Sequence, residues 1–245
     1  MAWTKSKTAA VWGTVGLLVL VATTLFLLRH NIANRIMVAG GKRAVAEHIA
    51  TPVDLTANYA APASAFTDKA SSSSFWAKVP WRFQVFHHVP LQIDGIMCLW
   101  GAGNAKMGAV YPGQILGIAM NQRFETLYVY HCTFFGSRTG TPVYDLVFRY
   151  TNGDSATNTI RYGIDTLDFN TPGEKTVLPS SPNTKVGWTG SSFTPDGKRP
   201  LLFSLTAINN PQPSLEVEAI DLFSCKQQSA GVILAMTAGK SGLMK

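Results

Sequence analysis

The sequence predicts an all-β fold, a jelly-roll β-sandwich, preceded by a single transmembrane helix and a flexible linker. Three observations carry this reading. Strand-like runs recur from Trp81 to Gly239 with turn residues between them and no long amphipathic helix. An uncharged run covers Thr8 to Leu28. Between the two lies a stretch rich in Ala, Ser, Thr and Pro.

Residues 1–7 read as a short tail carrying Lys5 and Lys7. The apolar run TAAVWGTVGLLVLVATTLFLL, residues 8–28, would reach roughly 30 Å as a helix, the thickness of a hydrocarbon core. A signal peptide has a shorter apolar core and a small-residue cleavage site. This run instead ends in Leu27-Leu28-Arg29, so an uncleaved anchor is expected. Two arguments about orientation conflict. Arg29, Arg35, Lys42 and Arg43 after the span outnumber Lys5 and Lys7 before it, which favours a cytoplasmic carboxyl side. Long domains translocate largely regardless of such charges, and spans near the amino terminus commonly export the chain beyond them. The expectation is a single-pass protein of the cell membrane with its carboxyl-terminal domain outside the cytoplasm.

Residues 29–80 read as a basic juxtamembrane stalk that passes into a linker. Residues 29–50 suit a short basic helix broken at Gly40-Gly41, either lying on anionic headgroups or solvated. Thr51 to Ala77, with its APASAF and KASSSSF segments, offers little core of its own. The domain proper is expected over residues 81–239, and residues 240–245 form a basic tail.

Within the domain the candidate strands are RFQVFHHVPLQIDGIMCLWG, GQILGIAM, TLYVYHCTFF, PVYDLVFRY, ATNTIRYGI, KVGWTG, PLLFSLTAI, LEVEAIDLFSC and GVILAMTAG. The segment DLVFRYTNGDSATNTIRYGID is the clearest of them, two strands around a tight turn. A two-residue loop at Asn152-Gly153 would set an apolar face against a polar one. A three-residue loop, Thr151-Asn152-Gly153, pairs Phe148 with Ala156, Leu146 with Asn158 and Tyr144 with Ile160. It keeps Tyr144, Leu146, Phe148, Ile160 and Tyr162 on one side, with Gly153 left-handed. Arg161 then lies on the other face, opposite Val143 and diagonal to Asp145, where cross-strand ion pairing explains it without a ligand.

The blocks VPLQIDGIMCLWG, ETLYVYHCTFFG, PVYDLVFRYTNGDSATNTIRYGID, VGWTG, INNPQPSLEVEAIDLFS and VILAMTAG resemble, in that order, a bacterial jelly-roll module of the galactose-binding-like, carbohydrate-binding type. The likeness covers about Phe83 to Gly239. It implies a module without catalysis of its own, of a kind that binds sugars through loops at one end and in some members carries a structural calcium. The layout of span, linker and jelly roll also resembles the outer part of membrane-tethered sigma-factor-like regulators, without their helical DNA-reading part.

Charge narrows the partners. The net charge of +7 lies outside the domain, because Trp81 to Gly239 holds eleven Lys+Arg and eleven Asp+Glu. A nucleic-acid-reading face is therefore not expected. Cys98, Cys132 and Cys225 are far apart and lack zinc-ligand spacing. They read as small buried apolar side chains, with at most one disulfide among them.

No catalytic constellation emerges. Glycoside hydrolysis needs two carboxyl groups facing one cleft. The available Asp94, Asp165, Asp168, Asp196, Glu216, Glu218 and Asp221 show no such pairing in sequence. His131-Cys132 and His87-His88 point to opposite faces of a strand, one packed and one wet in each pair. GAGNAKMG (Gly101 to Gly108) reads as an ordinary loop after a strand. No enzyme activity, catalytic residue, metal site or cofactor is expected.

Sugar binding needs a flat aromatic beside planar hydrogen-bonding groups. Among Trp100, Tyr111, Tyr162 and Trp188, the two tryptophans sit beside glycine-bearing loops. The candidate ligand-binding residues are Trp100, Tyr162, Asp165, Trp188, Asn209 and Asn210. Two functions compete. One is a membrane-anchored, non-catalytic module for a neutral carbohydrate at the cell envelope. The other is a structural or protein-interaction domain in a membrane-tethered assembly. The first should show an exposed aromatic in a concave end, the second a broad apolar patch.

Overall fold

The computed structural model describes residues 32–45, 47, 49–67, 75–170, 178–194 and 197–245. The expected membrane span, residues 8–28, lies outside them. Among the described residues no helix is long and apolar enough to cross a membrane. The chain divides into two units, Met1–Gly40 and Gly41–Lys245. In the first, residues 32–40 are helical and mostly exposed. Residues 32–45 are helical (α1), Gly40 and Gly41 included, where the sequence suggested a break. Gly41 is there for space, not flexibility: it is buried against the Val85 side chain, where a Cβ would collide.

Two sheets form an all-β sandwich. The first contains β1 (Ala50–Pro52), β2 (Ala61–Pro62), β5 (Gly95–Cys98), β7 (Thr126–Phe134), β10 (Thr184–Thr194), β11 (Gly197–Asn209) and β13 (Ala230–Gly239). Its order is β10-β11-β7-β13-β5-β2, with β1 also paired to β13. The second contains β6 (Gln114–Gln122), β8 (Pro142–Tyr150), β9 (Ser155–Arg161) and β12 (Val217–Ser224), in the order β6-β12-β8-β9. A separate hairpin is made by β3 (Arg82–Phe86) and β4 (Val89–Ile93).

The long first run of the domain is thus three strands, not one. Its first break is His87-His88, both at positive φ (49° and 67°), which makes a two-residue hairpin turn without glycine. Such a turn requires both central residues left-handed, a region histidine enters more readily than most side chains. Two adjacent histidines gave no turn signal in the sequence.

The first sheet is covered on both faces, which explains its strand composition. Along β7, Leu127 and Val129 enter the core between the sheets, while Tyr128, Tyr130 and Cys132 enter a second core on the far side. Along β13, a bulge between Ile233 and Ala235 resets the alternation, so Ile233, Met236 and Ala238 face one core and Val232, Leu234 and Ala235 the other. Both members of His131-Cys132 are therefore buried, on opposite faces, instead of one packed and one wet. The second core is aromatic. Trp76, Trp81, Tyr130 and Phe203 meet there beneath the β3–β4 hairpin and the turn Phe75–Lys78. Each such ring contributes roughly 1.5–3 kcal/mol by burial.

The expected linker is in part structural. Its start pairs with β13 as β1, a one-turn helix (α2, Ser64–Thr67) follows β2, Val53 and Leu55 enter the first core, and Ala63 and Trp76 the second. Apolar residues this widely spaced carry no periodicity, so composition alone suggested a linker. The basic tail also packs: Tyr128 donates its hydroxyl to the Lys240 carbonyl at 2.7 Å, and Leu243 and Met244 lie against the second core.

Candidate functional site

The strand ladders place the expected ligand-binding residues apart. Trp188 lies in β10 next to a bulge and stacks on Phe203 at 5.4 Å, with Gly190 leaving room for its ring. It is half-buried wall, not a loop aromatic. Trp100 follows β5, where its N–H donates to Pro112 and its carbonyl accepts from Ser224. Tyr162 packs against the first core. Asn210 is 5% exposed and fully engaged: its Oδ1 accepts from the Tyr150 hydroxyl at 2.6 Å and its Nδ2 donates to Phe124 at 2.9 Å. Among the described residues, Asp165 and Asn209 share a cavity, a polar groove of about 250 Å³ with Asn158, Thr159, Asn183 and Thr206. No aromatic ring lines that groove.

Arg161 does not pair with Asp145. Its guanidinium donates to the Gly140 carbonyl, and Asp145 accepts from Thr159 directly across the hairpin. A bulge between Pro142 and Tyr144 moves Val143 out of register, so Arg161 faces Pro142. Asp165 is held by the Arg161 backbone N–H at 2.9 Å, while burial raises its carboxyl above the usual range.

Thr206, at the groove's base, leads to His131. The His131 Nε2 lies 2.8 Å from Thr206 Oγ1, and Nδ1 lies 2.6 Å from the Tyr144 hydroxyl. This resembles a nucleophile beside a base, but the protons are committed elsewhere. Thr206 donates its proton to the Asp165 carbonyl, so its oxygen accepts from Nε2–H and from Thr184. Nδ1 must then accept from Tyr144. A histidine protonated on the nitrogen that faces the hydroxyl cannot act as its base. Burial also pushes the His131 pKa down to about 3. The chain Tyr144–His131–Thr206–Thr184 is a satisfied core network.

A second cavity, about 410 Å³, combines what the sequence sought elsewhere. It is lined by Asn104, Met107, Tyr111, Phe134, Phe135, Asp168, Phe169 and Asn170. Its volume falls in the ordinary range for small-molecule sites, and four rings line it. Phe134 and Phe169 meet edge to face at 5.4 Å, and Tyr111 lies roughly parallel to Phe134 at 6.4 Å. Phe169 is backed by Phe75 and Trp76, which fixes its plane.

Three elements build this wall. GAGNAKMG forms a short helix, α3 (Ala102–Lys106), instead of an open loop. Its glycines permit close approach. A Cβ at Gly101 would stand 2.8 Å from the Ala230 backbone, and one at Gly103 would stand 2.5 Å from the Phe135 ring. Phe135 itself sits at φ 64°, a strained position for an aromatic residue and one that observed functional sites often contain. The segment after β9 returns beside β7, where Phe169 N–H donates to Thr133, and so brings Asp168, Phe169 and Asn170 to the strand end.

The polar groups of this cavity offer mainly oxygens. Asn104, 7% exposed, and Asn170 each have a buried Oδ1 without a hydrogen-bond partner. Burial lifts the Asp168 carboxyl to about 6, against the Asn170 backbone N–H that favours its charge. Met107 and Val110 stand exposed on the α3 segment, at 76% and 87%. Sequence reasoning weighed Tyr111 and Asp168 singly. It could not assemble them, because a chain separation of more than fifty residues is closed only by the β7–β13 pairing and its flanking loops.

Among the described residues no group of three or more His, Cys, Asp or Glu side chains could hold a metal ion. All three cysteines are free, and Cys225 is only half-buried. No protein-family model, curated protein or solved structure matches the chain.

Proposed function

We propose that the chain is a membrane-anchored, non-catalytic carbohydrate-binding protein whose sandwich is a jelly roll and whose site is the 410 Å³ aromatic cavity. The single observation that carries the reading is the union there of flat rings with amide and carboxylate oxygens in one concave wall. Apolar C–H faces of a sugar ring stack on such rings, and its hydroxyls donate to such oxygens. The strand orders β5-β13-β7-β11 and β6-β12-β8-β9 support the jelly roll, since they give two interlocked Greek keys. The run Thr8 to Leu28 would hold the domain at the cell envelope.

Titration calorimetry of the full chain with glycan-array hits tests the site. Dissociation constants of roughly 10 μM to 1 mM are expected. Tyr111→Ala should weaken binding by about tenfold while the melting temperature stays near that of the parent. Absence of any glycan hit, or normal binding by a folded Tyr111→Ala variant, would reject this site. The interaction-domain alternative would rest on the large apolar side chains exposed among the described residues of the second unit, Met107, Val110, Leu116 and Leu178.

A further inference from the structure

We infer that the free edge of β9 is a docking strand for a second copy of the chain, the two β9 strands pairing antiparallel about a twofold axis at Thr157. This surface is separate from the aromatic cavity, and the pairing does not depend on what that cavity binds.

The ladder fixes which way β9 points its backbone. Tyr150 N–H donates to the Asp154 carbonyl at 3.0 Å, so that pair is hydrogen-bonded. Hydrogen-bonded pairs alternate along an antiparallel ladder, so Ala156, Asn158 and Ile160 turn their N–H and C=O groups to β8. Ser155, Thr157, Thr159 and Arg161 turn theirs outward. Arg161 shows the same sense: its N–H donates to the Asp165 carboxylate, and its carbonyl accepts from Asp165 N–H, both at 2.9 Å. Among the described residues nothing takes the outward backbone groups of Ser155, Thr157 and Thr159. The Ser155 and Thr157 side of the strand is exposed.

The other edges of the two sheets are guarded. β6 is bulged at two places, with Gly117 and Asn121 at positive φ, and Gly117 N–H is given to Asp221. Along β10 the Val186 carbonyl meets His87 Nε2 at 2.8 Å, and the Ser191 carbonyl accepts from Lys78 at 2.9 Å. β2 is only two residues long. Bulges, capped carbonyls and short strands are how natural edges avoid pairing. β9 has none of these from Ser155 to Ile160, and no proline or charge either.

A second copy completes this edge. With the twofold at Thr157, Thr157 meets its own counterpart and Ser155 meets Thr159 of the other copy. Each pair joins residues whose backbone groups both point outward, so each exchanges both hydrogen bonds and no group is left over. The side chains brought together are all hydroxyls, a favourable cross-strand pairing. Arg161 comes opposite Gly153 of the other copy, beside Asp154, and not opposite another Arg161. The contact is short, so association in free solution is weak, and two chains held in one membrane meet at a higher effective concentration.

The test is disulfide cross-linking of the full chain in detergent, with Cys225→Ser in every variant because that thiol is half-buried and the other two are buried. Thr157→Cys should link to itself on mild oxidation, since hydrogen-bonded partners stand about 5.5 Å apart at Cα, within disulfide reach. Ser155→Cys and Thr159→Cys should each stay unlinked alone and link when mixed. Sedimentation velocity of the parent should show a monomer–dimer equilibrium. Thr157→Lys sets like charges opposite each other and should raise the dissociation constant by about tenfold or more. Thr157→Pro removes only an outward N–H, so it should do the same while the melting temperature stays near the parent's. A monomer at every concentration, or a dimer that Thr157→Lys leaves unchanged, would overturn the inference. Self-linking of Ser155→Cys would overturn the pairing about Thr157. Cross-linking of Thr157→Cys in native membranes only to a different protein would give the edge to a foreign strand and overturn it as well.

Discussion

His131 is buried and Asp168 half-buried, and acid acts on them in opposite senses. His131 takes a proton at about 3 in the folded chain against 6.5 in the unfolded one. The unfolded state therefore binds more protons as pH falls from 6.5 towards 3, and the stability His131 allows at neutral pH is lost across that window. Asp168 runs the other way. Its folded value of about 6 lies above its ordinary 3.8, so its contribution is fullest at low pH and declines as pH rises through that interval. Two outcomes are expected from melting temperatures measured across these pH values. His131→Asn should start lower, having broken the links to Tyr144 and Thr206, but should lose less on acidification. Asp168→Asn should melt higher than the parent above about pH 6, because a partly desolvated charge has been removed. Gly103 belongs to the same wall. Gly103→Ala should cost about 1–3 kcal/mol by overpacking against Phe135 and should weaken ligand binding, read by melting and calorimetry together.

At the level of elements, the β8–β9 hairpin was legible almost to the residue. The observed pairs Tyr144–Ile160, Leu146–Asn158 and Phe148–Ala156 are those of the three-residue loop, and Gly153 sits at φ 90°. Local chemistry sufficed because period-two alternation and one glycine fixed the register. Gly153→Val should therefore destabilise the chain by about 1 kcal/mol or more, seen as a lower denaturation midpoint. Legibility failed where a strand departs from simple alternation. In the sequence, Asp221 on β12 was one more carboxylate without an evident partner, like Glu216 and Glu218. A register shift between Val217 and Ala219, and another between Ile220 and Leu222 that spans it, turn it inward to 6% exposure, where it accepts from Gly117 N–H at 2.7 Å and faces Arg149 at 3.5 Å. Asp221→Ala should cost about 1–3 kcal/mol, since it strands a backbone donor, and urea titration would show it. The candidate cavity was illegible for a related reason. Its lining comes from α3, the end of β7 and the segment after β9, and no local pattern reports that these meet.

At the scale of the whole molecule, the first sheet has no solvent-facing side along β7 and β13, so the segments that cover its outer face are as necessary as the second sheet. A chain beginning at Ser71 keeps every strand of the expected domain but loses β1, Val53, Leu55 and Ala63 from the two cores. It should unfold at lower urea than one beginning at Gly41, and equal midpoints would show that these residues add nothing. The place of β13 has a further consequence, one of time. β13 is the final strand of the sandwich, and it pairs with β1, β5 and β7. Ala50 waits for Gly239, and Cys98 for Val232, before either finds its ladder partner. Closure of that sheet therefore waits until every other strand of the sandwich has been made. Until then the growing chain exposes unpaired strand edges, a state in which wrong pairing competes with the right one.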